Sequence, residues 1–354
     1  MIKYLGSKRT LVPRIVELVR LFPEVKTVFD VFSGTSRVGH ALKARGYRVI
    51  ANDHNAYAAC LGRCYVQADR EDHFERATGL LRELASLPGQ HGYFTETFCE
   101  RSRFFQPKNG ARIDAIRERI QQLDLEGELR AVLLVSLMEA ADRVDSTTGV
   151  QMAYLKTWAP RAFNDLDLRV PALLPRSPYG KGLALSLDAL RAVEQVDADL
   201  AYIDPPYNQH KYLGNYHIWE SLVLWDKPEV YGTACKRVDC RERTSEFNSR
   251  NTAFAAFKQV LERTRAKLLV VSFSNEGYHN FEDIHRLLRG LGEVVAIEVD
   301  FKRYVGAQIG IYNPSGDKVG QVSHLRNKEF LFVVGRDGLP KSFAASEPGQ
   351  LSLL

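Results

Sequence analysis

The tetrapeptide Asp204-Pro205-Pro206-Tyr207 constrains the fold more than any other stretch of this sequence. It follows Leu200-Ala201-Tyr202-Ile203, an apolar run that is typical of a short buried strand. Since proline lacks an N–H donor and fixes φ, two consecutive prolines cannot continue a central strand. The strand must therefore stop pairing at Asp204, with a carboxylate, a proline carbonyl and an aromatic ring at its carboxyl end. In open α/β sheets this edge is where ligands bind.

These groups suit a reaction at the exocyclic amino group of a nucleobase. Such a nitrogen is a poor nucleophile because its lone pair is delocalised into the ring. The Asp204 side chain and the Pro205 carbonyl could accept hydrogen bonds from its two N–H groups and localise that lone pair. Tyr207 could stack on the base, a contact worth roughly 1–3 kcal/mol. In the alternative interpretation the tetrapeptide is only a strand-ending turn, in which Asp204 caps the next segment.

A βαβ pattern near the N-terminus predicts a nucleoside cofactor. A strand over 27–32 is followed by a glycine turn, a helix and a second strand over 48–51 that ends at Asp53. Gly34 would let the backbone approach a ligand closely, and Gly39 would let the helix pack on the sheet. Asp53, about 20 residues past the turn, could bind ribose hydroxyls, or could cap a helix instead. Ser36 stands where a dinucleotide-binding turn would have a second glycine.

The segment 69–182 differs from its surroundings and predicts a helical insertion. Amphipathic or apolar helices are expected over 74–87, 112–123 and 129–144, followed by a proline-rich stretch. The segment 101–119 contains six basic residues and only two acidic residues. We therefore predict phosphate contacts for Arg112, Arg117 and Arg119, with a solvated helix face as the alternative.

After the insertion the sheet pattern returns. A strand should end at Asp188, whose side chain could accept a bond from an adenine amino group or cap the helix 189–196. The polar and aromatic stretch after Tyr207 predicts DNA contacts for Lys211 and Tyr212. A second basic segment predicts DNA contacts for Arg241 and Arg243.

The C-terminal third predicts the rest of an α/β fold. Residues 268–274 read as a buried strand, between helices over 251–264 and 281–291. Strands over 294–299 and 329–334 should form an antiparallel hairpin around the polar loop 302–328. The predicted organisation is a mixed sheet flanked by helices, formed by 1–68 with 183–340, an insertion at 69–182 and a disordered tail at 341–354.

Composition narrows the function classes. A net charge of +5 permits nucleic-acid binding without requiring it. No apolar run approaches the roughly 20 residues that span a membrane, and no signal-peptide pattern follows Met1, so we expect a cytoplasmic protein. Five cysteines argue against a disulfide framework. Neither close cysteine pair has metal-ligand spacing, so we predict no metal site.

In combination these motifs resemble those of the Dam-like, α-group DNA adenine-N6 methyltransferases. The resemblance covers about residues 1–335 and is weakest in the insertion. It implies a Rossmann-like, S-adenosylmethionine-dependent methyltransferase fold with a target-recognition insertion at 69–182. The matching segments, in this order, are 3–8, 30–35, Asp53, the tetrapeptide 204–207 and 272–277.

The resemblance also implies roles for individual residues. S-adenosylmethionine would lie against Phe32 and Gly34 at its methionine half, with Tyr4 and Lys8 closing that end. Asp53 would take the ribose hydroxyls and Asp188 the adenine. Ser36, where the family usually has glycine, is the clear departure. The implied cofactor-binding set is Tyr4, Lys8, Phe32, Ser33, Gly34, Thr35, Asp53, Asp188 and Asp204, and the catalytic set is Asp204, Pro205, Pro206 and Tyr207.

The implied reaction is methylation of N6 of an adenine flipped out of double-stranded DNA, at a cost of a few kcal/mol for unstacking. A cognate restriction endonuclease is a further expected partner. Methylation of cytosine N4 or of adenine in RNA stays open, as does a non-catalytic DNA-binding protein of the same fold. A nicotinamide-dependent oxidoreductase would need a dinucleotide fingerprint that is absent here.

Overall fold

The computed structural model describes residues 1–209, 211–274, 277–302, 311–312, 318–320, 326–340 and 343. The chain divides into two compact units. The first unit contains Met1–Gln195 and His210–Ser245, and the second contains Val196–Gln209 and Glu246–Leu354. Most of the predicted tail, most of the loop 302–328, and Asn275 and Glu276 of the predicted segment 272–277 lie outside the described residues; in the tail, Phe343 is described and is buried.

The described residues contain eleven strands. In chain order they are β1 (Thr27–Asp30), β2 (Arg48–Asn52), β3 (Leu183–Leu185), β4 (Asp197–Ile203), β5 (Val230–Tyr231), β6 (Lys236–Arg237), β7 (Arg265–Ser274), β8 (Glu293–Lys302), β9 (Ile311–Tyr312), β10 (Lys318–Gly320) and β11 (Arg326–Gly335).

The α-helices of the described residues agree with those predicted at 74–87, 112–123, 129–144, 251–264 and 281–291, with shifts of a few residues at most ends. In chain order they are α1 (Val12–Arg20), α2 (Arg37–Lys43), α3 (Ala56–Gly62), α4 (Arg70–Ser86), α5 (Tyr93–Thr95), α6 (Pro107–Gln122), α7 (Gly127–Arg143), α8 (Ala189–Gln195), α9 (Tyr212–Asn215), α10 (His217–Leu224), α11 (Asp239–Glu242), α12 (Ala253–Arg263) and α13 (Phe281–Arg289).

The first unit contains a parallel sheet in the order β3-β2-β1. Thr27 pairs with Arg48, and Ile50 pairs with Leu183, so all three strands run in one direction. Between β1 and β2 lies α2, which confirms the predicted βαβ unit. Gly39 packs as expected, because an added Cβ there would lie 3.0 Å from Val66 Cγ2 and 3.3 Å from Val49 Cγ1.

Helices α3, α6, α7 and α10 supply much of the core of the first unit. The aromatic residues that alternate with basic residues near the start of the insertion belong to this core, since Phe94, Phe98, Phe104 and Phe105 are fully buried. They stabilise the helices through ring contacts, such as the 5.0 Å edge-on pair of Phe94 and Phe98. The insertion 69–182 and the strands β1 to β3 thus belong to one compact unit.

The second unit contains a mixed sheet in the order β4-β7-β11-β8. Strands β4 and β7 are parallel, whereas β11 runs antiparallel to both β7 and β8. The predicted hairpin is confirmed, with Phe330 opposite Glu298 in β8. Helix α13 packs its buried Ile284 and Leu288 towards this sheet, so the α/β class with a mixed sheet flanked by helices is confirmed.

All five cysteines are buried and none forms a disulfide in the described part of the chain. Burial raises the pKa of the Cys60 thiol to about 12 and that of Cys240 to about 11. The same cause places the pKa of Cys64 well above its usual range. Among the described residues, no helix has the length and apolar character needed to cross a membrane.

Candidate active site

In the second unit, the tetrapeptide begins where β4 ends. The last residue of β4 is Ile203, which is fully buried, and the chain leaves the strand at Asp204 as predicted. Pro205 is buried, while Asp204, Pro206 and Tyr207 are half-buried. The carboxylate and the aromatic ring are therefore partly accessible at the carboxyl end of the strand.

Residues after β7 support the backbone of the tetrapeptide. The Tyr278 N–H donates to the Tyr207 carbonyl at 2.9 Å, and the Tyr207 ring lies edge-on to Phe273 with centroids 6.1 Å apart. Gly277 fits between them because it has no side chain. An added Cβ would lie 2.9 Å from Phe273 Cζ and 3.2 Å from Tyr207 Cβ. Gly277 thus allows the close approach of the two segments.

Asn248 extends this support and was missed from the sequence. Its Nδ2 donates to the Asn208 carbonyl at 3.0 Å, and its own carbonyl accepts the Tyr278 hydroxyl at 3.0 Å. The residue following the tetrapeptide is therefore linked to Tyr278 through the side chain and the backbone carbonyl of one residue, Asn248. No pattern in the sequence marks Asn248, because its two contacts lie 40 and 30 residues away.

In the first unit, the turn after β1 has left-handed backbone at two positions. Gly34 has φ +49° and Ser36 has φ +56°. The Ser36 N–H donates to the Ser33 carbonyl, which closes the turn, and Ser36 is fully buried. A left-handed conformation normally selects glycine, which explains why the family usually has glycine where this chain has Ser36.

The Asp53 carboxylate joins this turn to the end of β2. Asp53 Oδ2 accepts the Gly34 N–H at 3.1 Å, and Oδ1 accepts the Asn55 N–H at 3.0 Å. Burial raises the pKa of Asp53, although these two backbone N–H donors favour the charged form. Oδ1 also accepts the Asn55 Nδ2 at 3.3 Å, so Oδ2, which accepts a single N–H, is the oxygen that fits a ribose hydroxyl as an additional donor. Asp53 does not cap α3, whose N-cap residue is Asn55.

Tyr4 lies in a stack of tyrosines beside the same turn. Its ring is stacked on Tyr212 at 5.3 Å and on Tyr216 at 4.5 Å. Its hydroxyl is 3.3 Å from that of Tyr57, and an added Cβ on Gly34 would lie 3.4 Å from its ring. Burial holds the pKa of Tyr4 and Tyr57 well above their usual range, so both stay protonated. The sequence predicted Tyr4 here but did not predict Tyr57 or Tyr216.

The remaining predicted cofactor residues occupy varied positions in the first unit. Lys8 is buried, and its carbonyl accepts the N–H groups of Leu11 and Val12 at the start of α1. Asp188 is exposed, and its Oδ1 accepts the Leu190 N–H at 2.9 Å. Asp188 thus caps α8, the alternative that the sequence had left open, and it lies beyond β3 rather than at its end. Ser33 and Thr35 are buried, and Phe32 is half-buried.

One cluster in the described residues has the spacing of metal ligands, formed by Asp72, His73 and Glu128. Its carboxylates already have cationic partners, because Lys181 Nζ lies 2.8 Å from Glu128 and Arg176 Nη2 lies 2.6 Å from Asp72. These ion pairs neutralise the charge that a cation would need.

Comparison with known proteins decides the family. Residues 4–282 match the model of the D12 class N6 adenine-specific DNA methyltransferases. The chain belongs to this family. It is therefore an enzyme, a site-specific DNA methyltransferase that acts on adenine, as the sequence predicted.

Named relatives of the D12 class agree. The type II methyltransferase M.NlaIII of Neisseria lactamica is 27% identical over 86% of this chain and 92% of its own length. The type II methyltransferase M.FokI of Planomicrobium okeanokoites is 31% identical over 85% of this chain but 49% of its own length. The modification methylase StsI of Streptococcus sanguinis is 26% identical over 98% of this chain and 53% of its own length. The chain thus spans about half the length of the last two.

The substrate of a D12-class enzyme is DNA, and one predicted phosphate contact is wrong. Arg117 is fully buried, and its guanidinium donates to the carbonyls of Leu222 at 2.7 Å and Val223 at 3.1 Å. It also lies over the Trp225 ring at 5.1 Å. Burial lowers its pKa to about 10. Arg117 therefore stabilises the end of α10 and presents no charge to a phosphate.

The other basic candidates of this D12-class chain are at least partly accessible. Arg119 forms an exposed ion pair with Glu83 at 2.8 Å, and Arg112 donates to the Ala85 carbonyl at 2.7 Å. Lys211 is exposed, and the exposed Arg241 lies over the Tyr231 ring at 3.8 Å. The two further candidates bind within the first unit, Tyr212 to Tyr4 and Arg243 to the buried Glu220 at 2.8 Å.

Proposed function

We propose that this enzyme transfers a methyl group from S-adenosylmethionine to N6 of an adenine flipped out of double-stranded DNA. The observation that carries the proposal is the tetrapeptide at the end of β4, whose Tyr207 is supported by Tyr278 and Gly277 in a chain of the D12 class. Base flipping is needed because N6 lies inside the duplex, where an enzyme cannot reach it.

In this mechanism Asp204 and Pro205 hold the target amino group. The carboxylate and the carbonyl each accept a hydrogen bond from one N–H group of the amine. This favours a pyramidal nitrogen and localises its lone pair. Tyr207 stacks on the adenine face, and Pro206 keeps the turn rigid, since its φ is fixed. The methyl donor supplies an electrophilic methyl group on a sulfonium. The enzyme otherwise contributes orientation and electrostatics.

The first unit is proposed to hold the methyl donor. Gly34 offers backbone without a side chain, and Asp53 offers its Oδ2, which accepts a single N–H, to the ribose hydroxyls. The protonated Tyr4 packs beside Gly34, where it excludes water. The remaining residues of the first unit proposed to line this cofactor are Lys8, Phe32, Ser33, Thr35 and Asp188.

We propose that the accessible basic residues contact DNA phosphates. Only accessible cations can neutralise phosphates and so release the counterions that are condensed on the DNA. The accessible basic residues comprise Lys211, Arg241, Arg112 and Arg119. Since several relatives are named type II methyltransferases, we also propose that a cognate restriction endonuclease acts at the same DNA sequence.

Transfer of a labelled methyl group from S-adenosylmethionine to unmethylated genomic DNA, followed by nucleoside analysis, tests the proposal. We expect label in N6-methyladenine and a fall of about 100-fold or more for Asp204→Ala, because one of two acceptors is lost. Asp204→Asn keeps the shape and is the matched control for folding. Label in N4-methylcytosine would overturn the target base. Full activity of Asp204→Ala would overturn the catalytic role.

A further inference from the structure

The position of Asp53 depends on where α3 begins. Asp53 Oδ1 accepts the Asn55 N–H at 3.0 Å, and α3 starts at the next residue, Ala56. Any displacement of the first turn of α3 therefore moves Asn55 and the carboxylate bound to it. The geometry of the Gly34–Asp53 contact is fixed from the helix side as well as from the β1 turn.

Helix α3 is capped by a residue from another helix. Within the described residues, the Asn55 side chain makes no capping bond to α3, and its first turn carries no acidic residue. Instead, Glu220 Oε2 of α10 accepts the Tyr57 N–H at 3.0 Å. This satisfies one of the free N–H groups of the first turn and places a negative charge at the positive end of the helix.

Arg243 balances the charge of Glu220. Glu220 is 1% exposed, and a buried carboxylate needs a partner that offsets its lost solvation. Arg243 Nη1 donates to Glu220 Oε1 at 2.8 Å, and Nη2 donates to the His54 carbonyl at 3.4 Å. His54 immediately follows Asp53. The Glu220–Arg243 pair thus holds the turn after β2 on both sides of Asn55.

We propose that Glu220 and Arg243 are positioning residues that fix the Asp53 turn and thereby set the affinity for the ribose of the methyl donor. The inference rests on the proposed role of Asp53. It replaces the predicted phosphate contact of Arg243, whose two described donor contacts both lie inside the first unit. Both residues act through the turn: Glu220 through Tyr57, and Arg243 through His54 and Glu220.

The test compares two ligands, S-adenosylhomocysteine and its 2′,3′-dideoxyribose analogue, by calorimetry on the full chain. In the wild type the analogue should bind more weakly, because Asp53 loses its hydroxyl donors. In Arg243→Ala we expect about tenfold weaker binding of S-adenosylhomocysteine, as for a lost hydrogen bond to a charged group, but less than about twofold weaker binding of the analogue. Discrimination between the two ligands should therefore collapse.

Further variants separate positioning from general damage. Glu220→Gln keeps an acceptor for Tyr57 but loses the charge, so we expect a partial loss of discrimination. Arg243→Lys restores the charge and should rescue part of it. Arg76→Ala removes an exposed arginine of the same unit, whose partner Glu126 is also exposed, and should leave both affinities unchanged.

Equal weakening of both ligands in Arg243→Ala, or no weakening of either, would overturn the inference. A wild type that does not distinguish the two ligands would instead overturn the proposed role of Asp53. If the wild type distinguishes the two ligands and Arg243→Ala distinguishes them equally well, the positioning role is contradicted and the proposed role of Asp53 stands.

Discussion

The guanidinium of Arg117 in α6 donates to the carbonyl oxygen of Leu222 at 2.7 Å, at the last turn of α10. The final carbonyls of a helix have no partner within the helix, and a cation there also interacts favourably with the helix dipole. A positive charge in the predicted DNA-binding segment therefore stabilises the fold of the first unit.

Replacement of Arg117 by methionine should lower the free energy of unfolding by about 2–4 kcal/mol, because two buried carbonyls lose their donors. Urea denaturation measures this change. The matched variant Arg119→Met loses only an exposed ion pair and should change stability by about 0.5 kcal/mol or less. Equal stability of the two variants would contradict the structural role of Arg117.

Ser36→Gly should stabilise the enzyme by about 0.5–1 kcal/mol. A left-handed residue with a side chain costs about 1–2 kcal/mol, and the greater freedom of glycine in the unfolded chain offsets part of the gain. Ser36→Ala keeps the left-handed strain and serves as the comparison. If urea denaturation finds glycine no more stable than alanine here, the strain at Ser36 is not relieved as we expect.

Acid should destabilise the fold through His217. This side chain is fully buried with Nε2 3.0 Å from the Gln151 carbonyl, and burial lowers its pKa to about 3. Between about pH 6.5 and 3 the unfolded histidine binds a proton that the folded one does not, so stability falls as pH falls. Burial raises the pKa of Asp142 to about 7, which has the opposite effect between about pH 7 and 4.

His217→Gln removes the acid destabilisation that His217 causes and keeps a donor for the Gln151 carbonyl. Relative to the wild type, its free energy of unfolding should rise by up to about 1.4 kcal/mol for each pH unit below about 6.5. Urea denaturation at several pH values measures this difference. A His217→Gln profile parallel to the wild type would contradict the lowered pKa.

Lys211 and Arg241 should account for part of the salt dependence of DNA binding. Each phosphate contact that is lost should reduce the slope of log affinity against log salt by about 0.9, evenly across DNA sequences. Titration of Lys211→Ala and Arg241→Ala at several salt concentrations measures the slope. Arg289→Ala removes an exposed charge from the second unit and is the comparison. An unchanged slope in both variants would remove these residues from the interface.

Local rules predicted the end of β4, since two prolines forbid further pairing whatever the rest of the chain does. The same holds for the βαβ unit and for the hairpin of β8 and β11, where hydrophobic patterns and turn residues lie close in sequence. The residues of the tetrapeptide indicated its chemistry, and family resemblance added the methyl donor and the adenine target.

Contacts between distant segments could not be predicted in this way. The stack of Tyr4 on Tyr212 joins residues more than 200 positions apart, and the charge of Arg117 gives no sign of which helix face it occupies. Asp188 is a local case: the sequence permits capping or ligand binding, and the structure shows that its Oδ1 caps α8. Burial and tertiary partners, which the sequence does not show, determined the roles of Tyr4 and Arg117.

The five buried cysteines have a practical consequence for spectroscopy. Thiol-reactive dyes need an accessible thiolate, and burial denies the native thiols access while it raises the pKa of Cys60, Cys64, Cys99 and Cys240. A single Met152→Cys replacement, at a side chain that is 51% exposed, would therefore accept a fluorophore selectively without prior removal of the native cysteines. Time-resolved emission from that label could then follow DNA engagement by the wild-type core.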